Sequence, residues 1–171
     1  MDVSSFWHIL AVSRAAAGAD PATHIRVLRE QLMALAPAEI VEFDRIFREH
    51  MARAYDWNLW GAAYVIGGGC SDDGFTDFRA WLVSKGQEVF ESALRDPDSL
   101  ADVLADKDGD AQFEEFAYAA SQAWEQKLGK SAHDFPGDTP TASSELTGEP
   151  WNEDEHELAA RYPRLWAFSG A

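Results

Sequence analysis

The residues best equipped for chemistry crowd into one stretch, Tyr55 to Leu82. It holds three of the seven Trp (Trp57, Trp60 and Trp81), the single Cys, and a run of three glycines that leads directly into Ser71-Asp72-Asp73. Cys70 follows Gly67-Gly68-Gly69 and precedes an expected helix start, where backbone N–H groups and the helix dipole would favour a thiolate nucleophile. Asp72 and Asp73 work against that, because adjacent negative charge raises a thiol pKa, and no sequence signature supplies a partnering His. Free Cys is among the most often buried residue types, so an inert packed thiol is the better account of Cys70. Asp72 and Asp73 have the chemistry of a general acid/base pair, and they are equally the ordinary acidic complement of a helix's first turn.

The three glycines could bring backbone close to a ligand, but they lack the Lys-Ser/Thr ending of a phosphate loop and the spacing of a dinucleotide fingerprint. A tight connection between packed helices explains them. Trp57, Trp60 and Tyr64 stand three and four residues apart and so share one face of a helix; with Tyr55 they could line a ligand pocket or pack into a core. Ser71 and Arg79 complete the candidate binding set, Arg79 as an anion anchor or as the ion-pair partner of a nearby Asp.

Metal chemistry finds little support. Asp106, Asp108 and Asp110 alternate as in a calcium loop, but the sixth position, which needs Gly, is Ala111, and the twelfth, which needs Glu, is Ala117. An acidic capping turn is the better reading. His8, His24, His50, His133 and His156 are scattered, with no pair spaced to place two imidazoles on one helical turn. No metal or cofactor is expected.

The elements that position these residues read as helices. Phe6, Trp7 and Leu10 begin an apolar stripe that Ser4 or Ser5 can cap and Gly18 ends. Asp20-Pro21 supplies a cap with Pro in the first turn, followed by Ile25, Leu28, Leu32 and Leu35. After Pro37, Ile40, Phe43, Phe47 and Met51 mark the clearest amphipathic helix. Leu59 to Ile66 is apolar on every side and fits a buried helix or a buried strand, with helix preferred. Ser71, Asp72 and Asp73 open a helix carrying Phe75, Phe78, Trp81 and Leu82 inward, in which Gly86 is a potential break; Asp96-Pro97 restarts the chain. Phe113, Phe116, Ala120, Trp124 and Leu128 draw a last stripe, ended by Gly129. The expected architecture is all-α, a compact bundle of six or seven helices over residues 1–129. A flexible linker at 130–150 and a short acidic helix and tail at 151–171 would follow, that helix folding back through Trp151, Leu158, Tyr162, Leu165 and Trp166.

The 171 residues, 46% hydrophobic, suffice for one ordinary core. The net charge of −16 is uneven: residues 1–66 carry six basic and eight acidic side chains, and residues 67–171 carry eight and 22. Such a surface repels phosphate backbones, so nucleic acid is disfavoured, and solubility or a basic partner is favoured. No apolar run has the length of a membrane span, the N-terminus lacks the basic start of a secretory signal, and one Cys cannot form an internal disulfide. A cytoplasmic location is expected.

The string Trp57-Asn58-Leu59-Trp60-Gly61-Ala62-Ala63-Tyr64, its passage through glycine into Ser71-Asp72-Asp73, and then Phe75, Phe78-Arg79 and Trp81-Leu82 form a specific pattern. With Phe6-Trp7 before it and Asp96-Pro97 after it, the pattern resembles a bacterial family of domains of unknown function, number 4240, over about residues 1–129. The resemblance implies a bacterial protein with a compact helical domain and brings no activity or catalytic residue with it. Two functions are therefore expected as alternatives. One is a binding module taking a basic peptide or protein in a cleft from Trp57 to Arg79 with Asp72 and Asp73 at its mouth. The other is a small enzyme acting on a peptide or small molecule, with Asp72 or Asp73 as acid/base, Cys70 as nucleophile and Arg79 as anchor.

Overall fold

The computed structural model of the chain describes residues 1–104, 111–137 and 145–169. The stretch Asp106 to Asp110, read from the sequence as an acidic capping turn, lies outside them. The described residues are all-α: α1 (Val3–Ala17), α2 (Pro21–Ala34), α3 (Pro37–Arg53), α4 (Trp57–Gly67), α5 (Asp72–Ser84), α6 (Gln87–Arg95), α7 (Ala101–Leu104), α8 (Ala119–Leu128), α9 (Glu155–Arg161) and α10 (Pro163–Ser169), with 3₁₀ turns at Pro97–Leu100, Glu114–Tyr118 and Ala132–Asp134. Only an isolated bridge between Asp56 and Thr147 has β character among them.

The helix count exceeds the expected six or seven because local breaks divide what periodicity alone runs together. Gly86, at φ 94°, separates α5 from α6 in a conformation that side chains with a Cβ disfavour. Phe116 sits on a tight 3₁₀ turn before α8, and Phe113 just ahead of that turn, rather than within the helix. Pro163 starts α10 and ends the acidic helix at Arg161, giving two short C-terminal helices in place of one. Asp2, not Ser4 or Ser5, caps α1 by accepting from the Ser5 N–H. Asp20 caps α2, with Pro21 in the first turn, as the sequence indicates.

The chain divides into two compact units. The first comprises Met1–His50 and Glu114–Ala142. In it α2 packs on both α1 and α8, and Phe6, Leu10, Leu28, Leu32, Ile40 and Ile46 are fully buried. Each such side chain contributes about 1.5–3 kcal/mol through removal of apolar surface from water. Phe6 meets Phe43 at 4.8 Å and lies parallel to the His50 ring at 5.3 Å. The second unit comprises Met51–Phe113 and Ser143–Ala171. Here α4 packs against α5, the Pro97–Leu100 turn and α10, so the C-terminal helices belong to the packing around α4.

Candidate functional site

Helix α4 begins where Asp56 accepts from the Asn58 N–H, and this cap sets the phase in which Trp57, Trp60 and Tyr64 project together. Trp57 stacks on Trp60 at 5.5 Å, Trp60 on Phe75 at 4.9 Å with only 7° between the rings, and Phe75 on Tyr55 at 6.0 Å. Three of the candidate residues, Tyr55, Trp60 and Arg79, thus meet on Phe75, for Arg79 lays its guanidinium over Tyr55 (4.8 Å) and Phe75 (5.1 Å), and Trp57 extends the row through Trp60. Tyr55, Trp57 and Trp60 remain half-exposed along this row.

Arg79 is held differently from the ion pair expected of it. Its Nη1 donates to the Met51 carbonyl at 2.9 Å and its Nη2 to Thr76 Oγ1 at 3.0 Å, and no ion pair to it forms among the described residues. Burial lowers its pKa, opposed in part by Tyr55 and Asp72. Arg79 is therefore committed to ring faces and a backbone carbonyl, a clasp between the end of α3 and α5.

Cys70 is half-buried. Its thiol points at the Ser71 carbonyl at 3.6 Å, and its own carbonyl accepts from Trp60 Nε1 at 3.1 Å. Burial pushes the thiol up to about 11, so it stays protonated at neutral pH. The cause is desolvation, not the charge of Asp72 and Asp73. The space beside the thiol, among Ala63, Ile66, Phe78 and Gln112, is about 60 Å³, well below the few hundred Å³ of an ordinary ligand pocket. Ser71 caps α5 by accepting from the Gly74 N–H, and Asp72 and Asp73 lie exposed in that helix's first turn.

A larger opening lies on another side of the same C-terminal end of α4. A groove of about 490 Å³ runs between Tyr64–Gly68 on one side and Glu153, Glu155, Leu158 and Trp166 on the other. Burial, reinforced by the charge and hydrogen bond of Glu153, raises the Tyr64 phenol pKa. The last turn of α4 carries no basic residue, so the partial negative charge of its end is uncomplemented on its own helix. Glu153, Glu155 and Trp166 had no local signal of function. Their only hint was the return of apolar residues after a polar stretch.

The far wall is held by residues 145–169. Thr147 donates to the Tyr55 carbonyl at 3.2 Å and accepts from the Trp57 N–H at 2.9 Å, while its hydroxyl donates to Asp56 at 2.8 Å. Trp151 leans on Tyr64 at 4.9 Å and on Trp57 at 6.5 Å. Tyr162 donates its hydroxyl to the Asn58 carbonyl at 2.8 Å, and burial pushes its pKa up to about 12. Buried Asp98 accepts from the Arg164 and Leu165 N–H groups at 2.9–3.1 Å and so caps α10 from outside its own segment.

A family model matches residues 1–126, about three-quarters of the chain. The chain belongs to the family described as Protein of unknown function (DUF4240). The DUF4240 match takes in the aromatic row, Cys70, Asp72, Asp73 and Arg79, and stops short of Glu153, Glu155 and Trp166. No curated protein and no solved structure matches the chain. Among the described residues, no group of three His, Cys, Asp or Glu is placed to hold a metal ion, and no helix is long and apolar enough to cross a membrane.

Proposed function

We propose that this chain is a binding module whose acidic, aromatic-lined groove at the end of α4 receives a basic peptide or protein segment. The observation that carries the reading is the groove itself: Glu153 and Glu155 stand on one wall, and the uncomplemented negative end of α4 and the Tyr64 ring on the other. Carboxylates and a helix C-terminus attract a cation, and Tyr and Trp faces add a cation–π contribution. About 490 Å³ is the scale of a pocket for a side chain and its neighbours. The net charge of −16 would steer a basic partner toward the surface.

Calorimetric titration with lysine-rich and glutamate-rich peptides at low and high salt tests this reading. Binding of the lysine-rich peptide alone is expected, weakening as salt rises, and about tenfold weaker in the Glu153→Gln/Glu155→Gln variant. Equal affinity in that variant removes the groove as the site.

The enzyme reading is less well supported by the geometry. A thiol held near 11 is a poor nucleophile at neutral pH. Iodoacetamide should therefore label Cys70 slowly at pH 7, accelerating toward pH 11. Rapid labelling at pH 7 would revive the nucleophile.

A further inference from the structure

The groove is composite, and its two walls come from segments about ninety residues apart. We infer that residues 145–169 are a detachable arm whose docking on α4 is coupled to occupancy of the groove by an organic cation, the charge class of a lysine side chain. This rests on the groove being the binding site. The arm's polar ties are the Thr147 bridge to Tyr55, Asp56 and Trp57, the Tyr162 bond to Asn58, the Arg164–Asp102 ion pair and the capping of α10 by Asp98, and its apolar seat is made by Leu158, Tyr162 and Leu165. Segments held by a few polar ties and a limited apolar seat open below the cost of global unfolding. A ligand that touches both walls binds only the docked state, so it must stabilise docking, and by reciprocity whatever loosens the arm must weaken the ligand.

Gly61 identifies the seat. Glycine is a poor helix former, yet Gly61 is buried in the middle of α4. A Cβ there would lie 2.3 Å from the Tyr162 hydroxyl and 2.9 Å from its ring, so glycine at this position is what lets Tyr162 reach the Asn58 carbonyl. Ala at 61 would suit α4 alone better and would evict Tyr162. Neither Gly61, Tyr162 nor Asp98 lines the groove. They act as positioning residues, through the arm.

The test is amide hydrogen exchange by NMR on the full chain, with and without a hexalysine peptide, alongside titration of the same peptide. The Thr147 and Leu165 N–H groups report docking because each donates from the arm to residues of the α4 region. In Gly61→Ala, protection at both should fall by at least about tenfold while the Leu28 and Leu32 amides of the first unit keep theirs. Hexalysine affinity should fall by about fivefold or more. Adding Tyr162→Leu to Gly61→Ala, which removes the clashing ring, should restore part of both. In the wild type, the peptide should raise protection at Thr147 and Leu165.

Loss of protection at Leu28 together with Thr147 would show one cooperative unit and overturn the arm. Lost protection at Thr147 and Leu165 with unchanged hexalysine affinity would overturn the coupling and leave the binding module standing. A wild-type chain that does not bind hexalysine overturns the proposed function and the cation coupling, and the Gly61→Ala exchange pattern then decides the arm by itself.

Discussion

In the unit built from Met1–His50 and Glu114–Ala142, the buried polar side chains His24, Asp44 and His50 each meet a hydrogen-bonding partner, whereas the unit built around α4 leaves aromatic rings and carboxylates half in solvent. His24 Nε2 lies 3.1 Å from Ser13 Oγ, His50 Nδ1 lies 2.7 Å from the Ile46 carbonyl, and Asp44, almost wholly buried, accepts from Arg48 at 2.6 Å. Such pairs satisfy groups that burial would otherwise penalise. Around α4, the half-buried Trp57, Trp60 and Tyr64 and the exposed Glu153 and Glu155 remain in reach of solvent. The contrast teaches where to look for binding: titratable or aromatic side chains that the fold has not already used.

The contrast can be broken most sharply by truncating one residue of each kind. Phe6→Ala removes a fully buried ring and should cost about 3–5 kcal/mol of stability, read from urea unfolding, whereas Tyr64→Ala should cost about 1 kcal/mol and act mainly on peptide affinity. Comparable stability losses would mean that Tyr64 is core. Next in size, Asp98→Asn weakens charge-assisted bonds to the N–H groups of Arg164 and Leu165; it should cost about 1.5–3 kcal/mol, visible as faster exchange at the Leu165 amide. Unchanged exchange there would show that α10 docks by apolar packing alone.

A smaller effect separates the two acidic pairs. Glu153→Gln/Glu155→Gln should weaken a lysine-rich peptide by about tenfold, near 1.4 kcal/mol, and Asp72→Asn/Asp73→Asn by less than about twofold. The reverse order would return the site to the start of α5.

The smallest effect is a pH slope in the first unit. Burial raises the Asp44 pKa, with Arg48 opposing, so between its ordinary value of 3.8 and the raised folded value the native state binds more protons than the unfolded one. Asp44 therefore contributes stability that is present at low pH and lost as pH rises through its folded pKa. Asp2, Asp20 and Glu42, lowered by hydrogen bonds, act in the opposite sense. The difference in unfolding free energy between wild type and Asp44→Asn isolates the term, and it should shrink as pH rises. A difference that grows would mean that Arg48 outweighs burial.

Much of the helical layout was legible because its signals are local. Asp20-Pro21, the stripe from Ile40 to Met51, and Ser71-Asp72-Asp73 each specify a cap or a face within a few turns. α4 was ambiguous because Leu59 to Ile66 is apolar on every side, and what decides its helical state is burial against α5 and α10 rather than any period. The candidate site was partly legible. Tyr55, Trp60 and Arg79 do converge, but on Phe75, which the spacing assigned to the core, and Trp57 joins the row only through Trp60. Glu153 and Glu155 read as an ordinary acidic run because nothing in their neighbourhood names α4 as the facing wall.

By itself, the sequence determined an all-α chain, its main caps and breaks, and its place in the DUF4240 family. Caps, turns and amphipathic periods act over three or four residues, so they can be read in line. Tertiary structure alone decided that Tyr162 rests on Gly61, that Asp98 caps α10, and that two glutamates face the end of α4. Those meetings join residues about sixty to a hundred apart, where shape and hydrogen-bond geometry select the partner and no local pattern records the choice.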